Sequence, residues 1–423
     1  MEMDSVKRYR LILWALFGIA CAVYLIIVDI SGIETEVMRD RFVNADTLFN
    51  GEVAVTEYPP FALVFMIIPR LFASTPFSYN VAYVIEVFVF FMIGLIFISK
   101  LAARFGKDEK KAMLAYSVLM LLMFEFVVDR YDIFPVVITL ISFYCFTTKR
   151  YAWAFALLSI ATLTKLYPAV LFPIYLIPFL MDKKWMDALK GTAVFVITAL
   201  AVVIPVVLVE PDMITHFLEY HADRPLHIES TAASFIYPFA MLGMTDVWII
   251  EAKYSFGSDN LLGAWPDAVA PLLSPLMVML IVISYVMFAH LYKKNENQEE
   301  RNILLGIAIL IVLMIFMIFG KVFSSQYLMW IIPPIVFMFM TSISEKEKKA
   351  ILIMTILVIL VTQLNFAYNI GYLGGGANIN DLGMMIILLR NILMIAFLYI
   401  TVKVVFDRFF RKDSKAEDND PFE

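Results

Sequence analysis

The sequence has little charge and almost no cysteine. Asp, Glu, Lys and Arg make up 17% of its 423 residues, whereas soluble globular domains carry about 25%. The two cysteines, Cys21 and Cys145, both lie in apolar runs, and there are only four histidines. This scarcity argues against a soluble enzyme, a secreted domain held by disulfides and a cysteine-based metal site.

Apolar residues are what the sequence has in excess. Hydrophobic residue types account for 62% of the chain, and the mean hydropathy is +0.83. The apolar runs are long and do not alternate with polar residues, which favours membrane-spanning helices over a β-barrel. We therefore predict an all-α integral membrane protein with one membrane domain over residues 1–410 and a charged tail over residues 411–423.

Twelve apolar segments are candidates to cross the bilayer, for which about 20 residues are needed. They lie at residues 11–28, 78–99, 112–128, 133–147, 152–164, 167–181, 191–209, 268–292, 302–320, 327–343, 350–368 and 382–406. The three segments between residues 133 and 181 are short, which predicts a recess in the membrane beside residues 164–168. A further short run at 60–73, bracketed by prolines, is predicted to be an interfacial or re-entrant helix.

Basic residues cluster in the loops on one side of these segments. The positive-inside rule assigns that side, and with it both termini, to the cytoplasm of a multi-pass protein of the cell membrane. The opposite side carries two long acidic loops, at about residues 29–77 and 210–267. Because the other loops are short, we expect any chemistry to lie in these two loops, on the extracytoplasmic face.

The first long loop supplies candidate catalytic residues. Glu34, Glu36 and Asp40 follow closely after the first apolar segment. A carboxylate at a membrane surface suits a general base, which removes a proton from a reacting hydroxyl. A solvated acidic loop without a catalytic role is the alternative, and the spacing alone leaves it open.

The few cations on the acidic side form a second group of candidates. Arg224 and three of the four histidines lie within residues 216–227, and Lys165 and Lys321 lie at helix ends next to aromatic residues. Such cations beside a membrane suit a phosphate group, although lysine at this depth also serves as an interfacial anchor. The histidine spacing matches no common ligand pattern, so no metal is predicted.

Charged residues within the apolar segments form a third group. Glu86 and Arg390 lie at similar predicted depths in their segments. Intramembrane charges are retained when they are paired or when they line a cavity. An ion pair between these two residues and a contact with a ligand are therefore both open alternatives.

Five short stretches together resemble glycosyltransferase family 87 of the GT-C superfamily, and they follow the family's order over most of the chain. They are Glu57-Tyr58-Pro59-Pro60, Arg130-Tyr131-Asp132, Thr164-Lys165-Leu166-Tyr167-Pro168, His221 with Arg224 and Glu229-Ser230, and Lys321 with Ser324 and residues 326–330.

The resemblance implies a GT-C-like bundle of about twelve transmembrane helices with interfacial helices in the outer loops. It implies transfer of a sugar, mannose in typical members, from a polyprenyl-phosphate donor to a hydroxyl of a lipid or glycan acceptor. It implies no cofactor and no nucleic-acid partner. The residues that it implies for donor binding are Tyr58, Asp132, Lys165, His221, Arg224, Lys321 and Gln326, and the intramembrane Arg390 is a further candidate for donor binding on the ground of its charge.

The catalytic aspartate of the family usually lies in the first outer loop, within a pattern like Asp-x-x-Val-Tyr. The nearest match here runs from Glu34 to Met38, so that glutamate replaces the aspartate and methionine the tyrosine. Another register places Glu36 at the acid position, and Asp40 lies close by. All three carboxylates therefore remain candidates for the base.

A membrane transporter or a flippase for lipid-linked sugars is the rival interpretation. Twelve helices and intramembrane charges suit a transport pathway. Transporters, however, usually show internal repeats with interrupted helices in matching positions, and the sequence shows no such repeat. Two long loops on one face favour an enzyme.

Overall fold

The computed structural model describes residues 2–51, 57–254, 256–369 and 381–409. These residues form seventeen α-helices and three short β-strands. The helices are α1 Glu2–Ser31, α2 Phe42–Phe49, α3 Ala62–Arg70, α4 Pro76–Arg104, α5 Glu109–Leu122, α6 Phe124–Asp129, α7 Ile133–Thr147, α8 Tyr151–Thr164, α9 Phe172–Met181, α10 Trp185–Val209, α11 Met213–Asp223, α12 Thr231–Met241, α13 Ala264–Lys294, α14 Gln298–Phe319, α15 Ile332–Met340, α16 Glu345–Asn369 and α17 Asp381–Phe409. The strands are β1 Leu226–His227, β2 Val247–Ile250 and β3 Asn260–Gly263.

Seven helices in the described part of the chain are long and apolar enough to cross a membrane: α1, α4, α10, α13, α14, α16 and α17. Four shorter apolar helical stretches accompany them, at Ile133–Thr147, Tyr151–Thr164, Tyr167–Met181 and Ser325–Met340. The prediction of a helical multi-pass membrane protein is confirmed. The count of twelve crossings and the side on which the termini lie stay predictions.

Two of the predicted helical stretches differ in their bounds from the helices of the structure. The segment at 112–128 is divided at Met123 into α5 and α6. The excluded run at 60–73 forms α3, whose nine residues are too few to cross a bilayer. The tail predicted at 411–423 lies outside the described residues.

The described residues separate into two compact units. The first unit comprises Met1–Phe179 with Lys184–Asp223, and the second comprises Leu180–Lys183 with Arg224–Glu423. Each unit carries its own group of the candidate residues. The single membrane domain predicted over residues 1–410 stays a prediction.

In the first unit, α4 packs against α2 and α3 of the first long loop. It begins with a capping box, in which the side chains of Thr75 and Ser78 each accept a backbone N–H of the other, and with Pro76 at its first position. Gly94 lets it approach α5 closely, because a Cβ at that position would overlap the Tyr116 hydroxyl. The helix is thereby held against its neighbours.

The end of α8 lies beside the end of the first long loop. Helix α8 stops at Thr164, Lys165 has an extended backbone, and a 3-10 turn follows at Tyr167–Leu171. The backbone N–H of Phe61 donates to the carbonyl oxygen of Leu163 over 2.9 Å. This bond brings Lys165 next to Tyr58.

The second unit contains a small antiparallel sheet in the order β1-β3-β2. Its apolar side packs with α12 around Leu226, Ala233 and Leu261. Helix α12 begins at the cap Ser230, whose hydroxyl accepts the N–H of Ala233. The sheet is an addition to the predicted all-α fold, because strands of two to four residues are too short to show alternation in the sequence.

The charge asymmetry makes a topology test possible, and the structure selects exposed positions for it. In a variant without Cys21 and Cys145, Ile33→Cys and Tyr254→Cys should react with an impermeant maleimide in intact cells. Ser344→Cys should react only after permeabilisation, because its loop is predicted to be cytoplasmic. All three positions are exposed. Labelling of Ser344→Cys in cells of verified integrity would overturn the proposed orientation.

Candidate active site

The first long loop folds into a short π-helix followed by α2. Helix α1 ends at Ser31, and Gly32 follows it with a φ of 64°, which glycine adopts most readily. The Thr35 hydroxyl then accepts the N–H of Met38 over 3.2 Å, at the start of the π-helix Val37–Arg41. This local structure leaves Glu34 exposed and turns Glu36 inward, where it is half-buried.

Glu36 is held by two arginines. Arg41, which is 3% exposed, donates from Nη2 to one carboxylate oxygen over 2.6 Å. Arg130 forms an ion pair with the other oxygen. Arg41 also donates to the Tyr58 hydroxyl over 2.9 Å, and its guanidinium lies 5.0 Å from the centre of that ring. Charge-assisted bonds of this kind are strong and fix both partners.

Lys165 and Asp132 form a second ion pair, with 2.7 Å between Nζ and Oδ1. Asp132 is 1% exposed, so its charge is almost fully removed from solvent. Burial lowers the pKa of Lys165 below its ordinary value, and the Asp132 carboxylate opposes that shift. The ammonium lies 5.9 Å from the centre of the Tyr58 ring.

Helix α11 packs against the last residues of the first long loop. The Tyr220 hydroxyl donates to the Glu57 carboxylate over 2.7 Å. Nε2 of His221 lies 3.1 Å from the Glu57 carbonyl oxygen, which can only accept, so this nitrogen carries the proton. We use the name loop cluster for the residues that these contacts assemble in the first unit: Glu36, Arg41, Tyr58, Arg130, Asp132, Lys165 and His221.

The three predicted catalytic carboxylates have different surroundings. Glu36 has both oxygens engaged by arginine. Asp40 pairs with the adjacent, exposed Arg39 over 2.9 Å. Within the described residues Glu34 accepts no hydrogen bond and forms no ion pair, and it is exposed. Of the three, Glu34 is therefore the carboxylate whose oxygens are open to a substrate hydroxyl.

Asp129 and Arg41 belong to this region and were not among the predicted site residues. The N–H of Val37 lies 3.4 Å from the Asp129 carboxylate, at the start of the π-helix. Burial raises the pKa of Asp129 to about 7, although this bond and the charge of Arg41 lower it. Asp129 could have been found from its place beside the stretch Arg130-Tyr131-Asp132. Nothing in the sequence distinguishes Arg41 from a solvated loop residue.

The second unit holds the fully buried Arg390 in a network of hydrogen bonds with the partly exposed Glu229. Its Nη1 donates to the Glu229 carboxylate over 2.6 Å, and Nη2 donates to the Glu229 carbonyl oxygen over 2.5 Å. Asn391 and Ser325 complete the network by binding the Glu229 backbone and side chain. Glu229, in the second long loop, is thus an ionic partner of Arg390 that the sequence analysis did not name. The ion pair with Glu86 and the contact with a ligand both stay predictions.

The remaining predicted residues of the second unit lie around the same loop. Arg224 donates to the Ser258 hydroxyl over 2.6 Å. Lys321 accepts the N–H of His227 at its carbonyl oxygen over 3.0 Å, and Gln326 lies half-buried in the 3-10 turn Ser325–Ile331. Burial lowers the pKa of His227 to about 4, so this histidine is neutral near pH 7.

The structure thus brings five of the predicted residues together in the loop cluster: Glu36, Tyr58, Asp132, Lys165 and His221. Arg224, Lys321, Gln326 and Arg390 belong to the second unit. The roles assigned to all of them in catalysis or donor binding stay predictions.

A comparison with protein families gives one match, which covers more than half of the chain. The model of glycosyltransferase family 87 matches residues 56–318. The matched range includes Tyr58, Arg130, Asp132, Lys165 and His221 of the loop cluster. A search of curated proteins found no match.

The raised pKa of Asp129 predicts a specific pH dependence of stability. Since its pKa is about 7 in the folded state and 3.8 when unperturbed, the folded state holds the proton more tightly between these values. Stability from this group is complete below about pH 4 and is lost as the pH rises through 7. The loss is on the order of a few kcal/mol, since one pKa unit corresponds to about 1.36 kcal/mol.

Thermal unfolding in detergent between pH 4.5 and 8 would measure this dependence. Asp129→Asn keeps the oxygen that accepts the Val37 N–H and should flatten the profile, with a higher Tm than the wild type at pH 8. Asp212→Asn, at an exposed position, is the control and should follow the wild type. If the Tm of Asp129→Asn and the Tm of the wild type changed with pH in parallel, Asp129 would not be the source of the pH dependence.

Proposed function

The chain belongs to glycosyltransferase family 87, and on this premise we propose that it transfers a sugar from a polyprenyl-phosphate donor to an acceptor hydroxyl on the extracytoplasmic face of a membrane. The family match over residues 56–318 is the observation that carries the proposal. The proposed fold is of the GT-C type. Mannose is the sugar that the family resemblance favours, and the acceptor is a lipid or a glycan.

The cations of the loop cluster support the proposal that the donor carries a phosphate. A departing polyprenyl phosphate gains negative charge as the bond to the sugar breaks, so cations fixed near it stabilise the transition state. Lys165, Arg41 and Arg130 are such cations, and their positions are set by Asp132, Glu36 and Tyr58. The long apolar helices provide a surface for the polyprenyl chain.

Glu34 is the proposed base. Its oxygens are exposed and engaged by no described residue, so they can accept the proton of the acceptor hydroxyl as that oxygen attacks the anomeric carbon. The transition state resembles an oxocarbenium ion, as in other glycosyl transfers. Glu36 instead serves as the partner that holds Arg41 and Arg130 in place.

His221 and Tyr58 have positioning roles in this mechanism. His221 donates to the Glu57 carbonyl oxygen and so fixes the chain that leads into Tyr58. Tyr58 accepts from Arg41 and places its ring beside Lys165. Because phosphate is already a good leaving group once its charge is stabilised, the proposed reaction includes no cofactor.

The assignment of the base predicts different outcomes for two neighbouring amide variants. Glu34→Gln should reduce the transfer rate by ~10²–10⁴ without changing Tm or donor binding, because only proton removal is lost. Glu36→Gln should lower Tm, because a neutral side chain leaves two arginines without their carboxylate. Asp40→Asn is the matched control with an exposed partner.

Rates with a radiolabelled polyprenyl-phosphate sugar, together with Tm values, would distinguish these variants. A wild-type rate for Glu34→Gln would exclude Glu34 as the base. Activity with a nucleotide sugar alone would exclude the polyprenyl-phosphate donor.

A double variant can separate phosphate binding by Lys165 from simple neutralisation of Asp132. Lys165→Met removes the cation that lies 2.7 Å from the buried Asp132 carboxylate, so this variant should lose both stability and donor affinity. Adding Asp132→Asn removes the buried negative charge and should restore Tm. If Lys165 binds phosphate, the donor KM of the double variant should stay about tenfold or more above the wild type.

The comparison needs three proteins beside the wild type: Lys165→Met, Asp132→Asn and the double variant. Donor KM, acceptor KM and Tm are measured for each. Recovery of both Tm and donor KM in the double variant would show that Lys165 only neutralises Asp132, and the phosphate contact would be rejected.

A further inference from the structure

A cavity of ≈ 550 Å³ lies within the second unit, and none of its lining residues is used in the proposed transfer. Its walls come from β2 and the turns beside it, from the end of α12 and from the first residue of α17. Ligand-binding cavities usually measure about 300–1,000 Å³. The cavity is therefore large enough for a small organic ligand of one or two rings.

An aromatic side chain on β2 forms one wall. Val247 and Ile249 pack against the apolar core of the sheet, so the alternation of a strand turns Trp248 to the other face. Trp248 lines the cavity and is 55% exposed. Tyr237 of α12 also lines it, and its hydroxyl donates to the Asp381 carboxylate over 3.0 Å.

The charged part of the lining consists of carboxylates. Asp246, Glu251, Asp259 and Asp381 line the cavity, and no lysine, arginine or histidine is among the described residues that do so. The Ala252 N–H donates to Asp259 over 2.7 Å and fixes that carboxylate. The cavity is therefore rich in oxygens that accept hydrogen bonds, and its negative charge repels phosphates.

We propose that this cavity binds a neutral saccharide portion of the acceptor, an inference that rests on the proposed glycosyl transfer. An exposed indole presents a flat apolar face on which the C–H face of a pyranose ring can lie. Carboxylates form short, strong bonds with hydroxyl donors, of which a sugar has several. Repulsion of phosphate directs the charged donor elsewhere, so the two substrates are distinguished by charge.

A divalent cation fits the lining less well. Within the described residues no group of three or more His, Cys, Asp or Glu side chains is close enough to hold a metal ion. An aromatic ring would also add little to the coordination of a hard cation, which takes oxygen ligands. The combination of indole, phenol and separated carboxylates favours a polyhydroxylated ring.

Saturation-transfer NMR on the detergent-purified full chain would test the proposal directly. The probes are neutral di- and trisaccharides of mannose, glucose and galactose, with mannose 6-phosphate, spermidine and Ca²⁺ as contrasts. At least one neutral saccharide should bind the wild type, and Trp248→Ala and Asp246→Asn should each raise its Kd about tenfold or more. Tyr254→Ala, an exposed aromatic in the same loop that does not line the cavity, should leave Kd unchanged.

Unchanged saccharide binding in Trp248→Ala and Asp246→Asn, with wild-type Tm, would overturn the proposal. So would the absence of saccharide binding to the wild type, or binding of spermidine or Ca²⁺ that Asp246→Asn abolishes while no saccharide binds. In transfer assays, Trp248→Ala should raise acceptor KM and leave donor KM unchanged. If the wild type transfers no sugar but binds saccharide through Trp248, the proposed function fails and the cavity assignment stands.

Discussion

The structure of the loops depends on the pairing of buried charges. An ionised side chain removed from water costs several kcal/mol unless an opposite charge and hydrogen bonds compensate. In the first unit, Glu36 meets that requirement for Arg41 and Arg130, and Asp132 meets it for Lys165. The long loop cannot move away from Arg130, which follows α6, without separating the Glu36–Arg130 pair. A chain segment that would otherwise be solvated is thereby fixed at the edge of the helices.

The same ion pairs fix the positions of the cations around Tyr58. Tyr58 lies beside both of them, since it accepts from Arg41 and faces the ammonium of Lys165. Cations held by carboxylates are preorganised, so they need not reorient when charge develops on a leaving group. Glu34 is not part of this arrangement. It is exposed and has no partner among the residues that the structure describes, so its carboxylate is suited to exchange protons. The two glutamates of this loop are therefore suited to different tasks: Glu36 holds two arginines in place, and Glu34 can exchange a proton.

Helix positions were largely predictable from the sequence, and side-chain partners were not. The run at 350–368 lies within α16, Glu345–Asn369, because a long apolar segment has few alternatives to a helix. The bounds of the segments at 133–147 and 152–164 were predicted within one residue. The break at Met123 was missed, since neither glycine nor proline marks it. An ion pair with Glu86 was one of two alternatives left open for Arg390 on depth alone, and depth does not identify which loop folds back onto a helix.

The bond between Glu229 and Arg390 joins residues that are 161 positions apart in the chain. Ribosomes make the chain from its N-terminus, so Glu229 is synthesised before α17 exists. Until α17 is made, the carboxylate must remain hydrated, because no described residue of its own loop supplies an equivalent cation for it. The structure that Glu229 adopts in the second long loop therefore depends on the synthesis of α17, and a nascent chain released before Arg390 keeps an acidic residue without this ionic partner.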